Sequence, residues 1–134
     1  MSYVLIIDND DTLRSVLAQE LKKIGIPVQE AGDGQAGLAK AKAAHPAVII
    51  LDEHMPKMDG QHFVEALRQE DWFDDVHIIV FTALHDIDLM NHKMLAGVSD
   101  YLNKSTCTPQ TVVEAVEKYF PSPAASGEQP RPRA

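Results

Sequence analysis

The chain has 134 residues, 45% of them hydrophobic, and a formal net charge of −8 at pH 7. This length favours one globular domain, and no stretch resembles a signal peptide or reaches the roughly 18 apolar residues of a membrane span. The negative charge disfavours nucleic-acid binding, and a single cysteine, Cys107, excludes an internal disulfide and a thiolate metal cluster. We therefore expect a cytoplasmic protein whose partners are neither nucleic acid nor membranes.

The N-terminal part predicts a strand, an acidic turn and a helix. Residues 4–7 form a continuous apolar run, which is typical of a strand buried on both faces. Asp8 ends that run, and two more carboxylates lie among the next three residues. Residues 12–24 predict an amphipathic helix that stops at Gly25. The apolar side chains expected on its buried face are Leu13, Val16, Leu17, Leu21 and Ile24.

The middle of the chain predicts two more strands. A weak strand over residues 27–31 precedes an alanine-rich helix over residues 35–44, which is predicted from propensity. Residues 47–51 form a second apolar run, and Asp52 ends it. At the carboxyl end of a parallel strand, a carboxylate lies where ligands usually bind. A lone aspartate there is equally consistent with a capping role, so the residues around it decide.

The segment after this second run predicts a loop and then a helix. Pro56 and Gly60 keep the residues directly after the strand out of a helix, and Asp59 can cap the helix that follows. The side chains of this helix that are expected to face inward are Phe63, Ala66 and Leu67. We interpret Trp72 and Phe73, in the acidic connector, as packing anchors.

Two further strands deliver polar groups to the same edge of the predicted sheet. A strand over residues 76–81 leads into Thr82 and Ala83. A brief strand over residues 100–103 delivers Lys104. The sequence therefore places a hydroxyl and an ammonium at the ends of the last two strands.

The remaining segments predict two helices and a tail. One helix is expected over residues 86–95, and the last one begins with a Thr108 cap and Pro109 in its first turn. Residues 121–134 hold four of the eight prolines and predict a disordered tail. The folded domain is accordingly expected to span residues 1–120.

The alternation of strands and helices predicts an α/β fold with a doubly wound parallel sheet. The carboxyl ends of such strands border one crevice, so Asp8, Asp52, Thr82 and Lys104 are expected to meet there. Crowded carboxylates repel one another and favour a hard divalent cation such as Mg²⁺. A carboxylate nucleophile, a cation, a hydroxyl and an ammonium together suit phosphoryl transfer.

These segments, taken in order, resemble a response-regulator receiver domain of the chemotaxis-regulator type, the phosphoacceptor module of two-component signalling. The matching pieces are residues 4–8 with the acidic residues after them, residues 50–52 with residues 55–56 and 58–60, residues 81–83, and Gly97 with residues 100–102 and Lys104. The resemblance implies a flavodoxin-like three-layer sandwich with five parallel strands in the order 2-1-3-4-5.

The resemblance also implies how the phosphoryl group is received. Asp52 would accept it from a phosphohistidine of a sensor histidine kinase or a histidine phosphotransfer protein. Mg²⁺ would be held by Asp8, Asn9 and Asp52 together with the backbone carbonyl of His54. Such a domain accepts the group on itself, so no turnover of a free substrate is expected.

A second implication concerns the phosphate contacts and the switch. Thr82, the Ala83 amide and Lys104 would contact the phosphoryl oxygens. Thr82 and Tyr101 would then move, and a surface that a downstream protein target recognises would change with them.

Two residues depart from the pattern of the family, and a third occupies a position that in the family tunes the lifetime of the phosphoryl group. Asn9 stands where a second carboxylate is usual, and an amide oxygen is a weaker ligand for a hard cation, so we expect weaker Mg²⁺ binding. Ser105 replaces the usual proline, and the peptide bond before it is predicted to be trans, shifting the loop of Lys104. Leu84 is apolar, and we expect it to screen the phosphoryl group from water.

Three classes of function are compatible with these residues. The favoured class is a stand-alone receiver domain that switches on phosphorylation. A pseudo-receiver that docks partners without phosphorylation is the alternative, supported by Asn9 and Ser105. An enzyme with an aspartyl nucleophile, such as a phosphatase, would need a substrate domain that the remaining length does not offer.

Overall fold

Five parallel strands form one sheet in the order β2-β1-β3-β4-β5 within residues 2–83 and 97–121, the part of the chain that the computed structural model describes. The strands are β1 (Val4–Ile7), β2 (Val28–Ala31), β3 (Val48–Leu51), β4 (His77–Thr82) and β5 (Asp100–Asn103). Their order and parallel pairing confirm the predicted α/β fold class. The helix predicted over residues 86–95, Leu84 and the tail after Pro121 lie outside the described residues.

Helices cover both faces of this sheet, which is why β1 and β3 are apolar and buried at every residue. The helices within the described residues are α1 (Asp11–Lys23), α2 (Gly34–Ala43), α3 (Gly60–Leu67) and α4 (Pro109–Tyr119). Successive strand residues point to opposite faces, so Leu5 and Ile7 join a core cluster with α2 and α3. Val4 and Ile6 join a second cluster with α1 and α4. The fold is thus a three-layer sandwich.

Each of these four helices begins after a residue whose side chain accepts a hydrogen bond from a backbone N–H of the first turn. The four caps are Asp10, Asp33, Asp59 and Thr108. Asp59 and Thr108 are the caps predicted from the sequence, and Pro109 occupies the first turn of α4 as expected. The Asp10 cap makes α1 start directly after the acidic turn, so the helix and the turn are one unit.

Two side chains that were predicted to lie on the buried face of the first helix are exposed instead. Val16 is 38% exposed and Ile24 is 44% exposed. A helix turns by about 100° per residue, which places Val16 and Ala18 on opposite sides of Leu17. The buried residues of α1 are Leu17, Ala18 and Leu21. The core therefore lies on the side of Ala18, and Val16 points away from it. Ile24 is exposed because the helix ends one residue before it.

The predicted anchors near α3 are mostly confirmed. Phe63 and Leu67 are fully buried, whereas Ala66 is only half-buried. Trp72 is buried, and the half-buried Phe73 packs against the same core cluster. No helix within the described ranges has the length and apolar character needed to cross a membrane.

Candidate functional site

Four of the predicted site residues meet at the carboxyl edge of the sheet. Asp8 directly follows β1, Asp52 follows β3, Thr82 ends β4 and Lys104 follows β5. The Lys104 Nζ lies 2.8 Å from Asp8 Oδ2 and 3.4 Å from Asp52 Oδ2. The Thr82 hydroxyl donates a hydrogen bond to Asp52 Oδ1 at 3.1 Å. The sheet therefore brings together two carboxylates, an ammonium and a hydroxyl from four separate strands.

Backbone hydrogen bonds at the strand ends fix these positions. The Asp52 N–H donates to the Ile7 carbonyl at 3.0 Å, which extends the pairing of β1 and β3 by one residue. The Lys104 N–H donates to the Thr82 carbonyl at 2.7 Å and does the same for β4 and β5. Each polar side chain thus starts from a backbone position that the sheet determines.

Burial and charge make the Asp52 carboxylate unusual. Asp8 is 2% exposed and Asp52 is 5% exposed. Burial, followed by the charge of Asp8, raises the pKa of Asp52, while the Lys104 ammonium and the Thr82 hydrogen bond act in the opposite direction. Burial alone would lower the pKa of Lys104, but its hydrogen bond to Asp8 and the charges of both carboxylates raise it overall. The lysine is therefore held as a cation between two acids.

The segment of the chain that carries this site matches the model of a known protein family. Residues 4–117 match the family described as the response regulator receiver domain. The chain belongs to this family. Receiver domains are modules of two-component signalling, so the resemblance seen in the sequence is confirmed.

Relatives of this receiver domain occur in several kinds of signalling protein. The chain is 38% identical over 101 residues to the probable transcriptional regulator ycf27 of Porphyridium aerugineum. The matched part is 75% of this chain and 41% of that protein. It is 34% identical over 113 residues to the hybrid signal transduction histidine kinase D of Dictyostelium discoideum. That match covers 84% of this chain and 7% of the kinase. The chain thus spans less than half the length of these two relatives. A solved structure of the Vibrio cholerae chemotaxis protein CheY4 is 29% identical, with a TM-score of 0.79 over 90% of this chain and 99% of that chain.

Asn9 and His54, the other two residues predicted to contact a metal, and the neighbouring Asp10 lie around Asp8 and Asp52 in different ways. Asn9 is exposed and directly follows Asp8. The Asp10 carboxylate accepts the Leu13 N–H at 3.0 Å, so it caps α1. His54 is exposed, and its N–H donates to Asp52 Oδ1 at 3.4 Å. The acidic turn of this receiver domain therefore contributes one buried carboxylate to the site, because the amide of Asn9 is neutral and Asp10 serves the helix.

The donor atoms at this edge suit Mg²⁺, the cation that the receiver-domain resemblance implies. Asp8 and Asp52 supply two buried carboxylates, and Asn9 and the His54 carbonyl would add neutral oxygens. Mg²⁺ in proteins is usually bound through one or two carboxylates and keeps several waters, so this donor set is sufficient. Within residues 2–83 and 97–121, no three His, Cys, Asp or Glu side chains are grouped to hold a metal ion. Asn9, directly after Asp8, is a neutral neighbour of the two carboxylates.

The remaining predicted residues flank this centre. Ala83 is half-buried directly after Thr82, and Tyr101 is half-buried on β5, where it packs against the core cluster that contains Trp72. Burial raises the pKa of the Tyr101 hydroxyl. As predicted, the peptide bond before Ser105 is trans. The Lys104 ammonium nevertheless reaches both carboxylates.

One residue at this edge was not predicted from the sequence. The Arg14 guanidinium donates a hydrogen bond to the Asp8 carbonyl at 2.6 Å. The one local signal for it is the spacing of three residues between Asp11 and Arg14, which is typical of an ion pair on a helix. That spacing says nothing about the Asp8 carbonyl, which lies six residues before Arg14.

Proposed function

We propose that this receiver domain is a phosphoacceptor switch in which Asp52 takes a phosphoryl group from a phosphohistidine. The observation that supports it is the Lys104 ammonium lying within 3.4 Å of Asp52 and 2.8 Å of Asp8. Catalysis of phosphoryl transfer depends mainly on positioning and on neutralising charge. The ammonium and the Thr82 hydroxyl supply both at the carboxylate that would react.

In the proposed step, a carboxylate oxygen of Asp52 attacks the phosphorus atom while the bond from phosphorus to the donor histidine nitrogen breaks. The histidine keeps the electron pair of that bond, and Asp52 becomes an acyl phosphate. Lys104 remains protonated because the neighbouring carboxylates raise its pKa, and its charge balances the phosphoryl oxygens. The Thr82 hydroxyl and the Ala83 amide would donate hydrogen bonds to the same oxygens. The donor is a sensor histidine kinase or a histidine phosphotransfer protein.

Asp8, Asn9 and Asp52, with the backbone carbonyl of His54, would hold Mg²⁺ beside the acceptor. A bound Mg²⁺ neutralises negative charge on the transferring group. Asp8 is prepared for this role because its Oδ1 accepts the Asp10 N–H at 2.9 Å, which fixes the carboxylate. Asn9 makes binding weaker than in a receiver domain with two adjacent carboxylates, since its oxygen is neutral.

Thr82 and Tyr101 form the proposed switch. The Thr82 hydroxyl bonds Asp52 in this state, and a phosphoryl group on Asp52 would offer it stronger, fully charged acceptors. Tyr101 lies opposite Val80 in the pairing of β4 and β5, so a shift of the β4 end is felt on its strand. The resulting population shift changes a surface that a downstream protein target binds.

We further propose that this receiver domain belongs to a cytoplasmic response regulator. It would act through protein contacts, without binding nucleic acid or membranes and without turning over a free substrate. One observation favours the pseudo-receiver alternative: the acidic turn offers the site a single buried carboxylate, Asp8, because Asp10 caps α1. That alternative predicts partner binding with no phosphorylation of Asp52.

The deciding experiment is intact mass spectrometry after incubation with Mg²⁺ and acetyl phosphate, a small phosphoryl donor. The parent protein should gain one phosphoryl group, and Asp52→Ala should gain none. Asp10→Asn is the matched control, because it removes a nearby carboxylate that caps α1. A parent that gains no mass at saturating Mg²⁺, or an Asp52→Ala variant that gains as much as the parent, would contradict the proposal.

A further inference from the structure

The side chain of Arg14 on α1 contacts three acceptors around the acidic turn. Its Nη1 donates to the Asp8 carbonyl at 2.6 Å, its Nε donates to Glu30 Oε1 at 3.1 Å, and its Nη2 lies 2.8 Å from Asp11 Oδ1. The side chain is only 16% exposed. One planar guanidinium therefore ties the end of β1 to β2 and to the first turn of α1.

These contacts complete the restraint on Asp8. Its Oδ1 accepts the Asp10 N–H and its Oδ2 faces the Lys104 ammonium, so the carboxylate is fixed by two partners. Arg14 fixes the backbone of the same residue through its carbonyl. Glu30 gives the guanidinium a stable anchor, because it lies on β2 directly opposite Ile6 in the strand pairing.

We propose that Arg14 is a positioning residue for cation binding, holding the turn over residues 8–10 so that Asp8 and Asn9 meet the metal. The proposal rests on the proposed function, since it concerns the same Mg²⁺ site. Its positive charge repels the cation little, because Glu30 and Asp11 neutralise it. A lysine would keep the charge, but its single ammonium nitrogen cannot reach the Asp8 carbonyl, Glu30 and Asp11 with the geometry of the planar guanidinium.

Two substitutions separate positioning from charge. Arg14→Lys keeps the charge and removes the fork, whereas Arg14→Met removes both. If Arg14 acted by charge alone, Arg14→Lys would leave Mg²⁺ binding unchanged and Arg14→Met would tighten it, since a cation repels a cation. If Arg14 positions the turn, both variants should weaken Mg²⁺ binding by about tenfold, as the loss of outer-shell partners typically does.

The experiment is a titration of the full chain with MgCl₂, followed by the amide NMR shifts of residues 8–11 and 52–54. Lys23→Met is the matched control, because it removes an ion pair with Glu20 at the other end of the same helix. The control should bind Mg²⁺ as the parent does. Urea unfolding of each variant shows that it is folded and reports its stability separately.

The outcomes are distinct. Weaker binding in both Arg14 variants, with Lys23→Met unchanged, supports the proposal. Parent-like affinity in Arg14→Lys overturns it, even where that variant is less stable, and so does tighter binding in Arg14→Met. If Arg14→Met does not fold, Arg14→Lys decides alone. A parent chain that shows no response to Mg²⁺ overturns both this inference and the proposed cation dependence. A parent that binds Mg²⁺, together with an Arg14→Lys variant of the same affinity, overturns this inference only.

Discussion

The hydroxyl of Thr82 donates a hydrogen bond to the buried carboxylate of Asp52 at 3.1 Å. A hydrogen bond to the charged form of an acid favours ionisation, and it opposes the burial and the Asp8 charge that raise the pKa of Asp52. A single hydroxyl therefore helps to keep the proposed acceptor ionised, which is the form that can attack phosphorus.

Replacing Thr82 with valine should raise the pKa of Asp52 further, because the variant keeps the shape of the side chain and loses the donor. The pKa is measured by a pH titration of the Asp52 carboxyl carbon by NMR. Thr82→Ser is the control, since it retains the hydroxyl and should keep the pKa of the parent. An Asp52 pKa that is equal in the valine and serine variants would contradict this role of the hydroxyl.

Asp52→Asn should raise the free energy of unfolding at neutral pH. The folded-state pKa of Asp52 is raised above its unfolded value, so the folded state holds the proton more tightly. The folded state therefore loses stability as the pH rises from the unfolded pKa to the folded pKa. The asparagine variant avoids this loss, and its advantage should shrink as the pH falls toward the unfolded pKa, about 3.9. Urea unfolding at neutral pH and at about pH 4.5 measures both.

The control for that experiment is Asp71→Asn, which removes the same charge from an exposed position. It should not show the same dependence on pH. If the difference in free energy of unfolding between Asp52→Asn and the parent is instead the same at both pH values, ionisation of Asp52 does not destabilise the folded state.

Asn9→Asp should tighten Mg²⁺ binding by about tenfold, because it adds a charged oxygen ligand beside Asp8. Calorimetric titration with MgCl₂ measures the dissociation constant. Asp10→Asn should leave that constant nearly unchanged, since the Asp10 carboxylate accepts the Leu13 N–H at the start of α1. If Asn9→Asp bound Mg²⁺ no more tightly than the parent, the asparagine would not be the cause of weak binding.

Gly34→Ala should lower the free energy of unfolding by about 2 kcal/mol, the usual cost of forcing extra volume into a packed contact. A Cβ at Gly34 would overlap the Met58 carbonyl oxygen and lie 2.8 Å from the Met58 Cβ. The displaced segment is the loop after Asp52, so phosphorylation by acetyl phosphate should also slow. Urea unfolding and the rate of mass gain measure the two effects.

Gly32→Ala is the matched control two residues earlier. A Cβ there would lie 3.6 Å from the Arg14 Nη1, an ordinary contact distance. The control should stay within about 0.5 kcal/mol of the parent, as surface substitutions usually do. Equal losses in the two variants would mean that the contact between Gly34 and Met58 does not hold the loop.

The sequence predicted the sheet and the meeting of Asp8, Asp52, Thr82 and Lys104, because continuous apolar runs mark buried parallel strands and such strands end at one edge. It did not predict the exposure of Ile24, since the stop signal at Gly25 locates the end of a helix only to within one or two residues. It also did not show that Asp10 caps α1, because an aspartate before a helix suits a cap and a metal ligand alike.

Arg14 shows a second limit of the same kind. Its contact with Glu30 depends on β2 lying beside β1, and its contact with the Asp8 carbonyl depends on the shape of the turn. Neither property is encoded in the local residue pattern. A contact to a side chain on a neighbouring strand and a contact to a turn carbonyl are visible only once the chain is folded.

The hydrogen bond from the Lys104 amide to the Thr82 carbonyl joins the outermost strand, β5, to its neighbour. That amide can exchange its proton for deuterium only when the end of β5 peels away from β4. The rate of deuterium uptake at the Lys104 amide therefore reports how often Lys104 and Thr82 separate in the unphosphorylated protein.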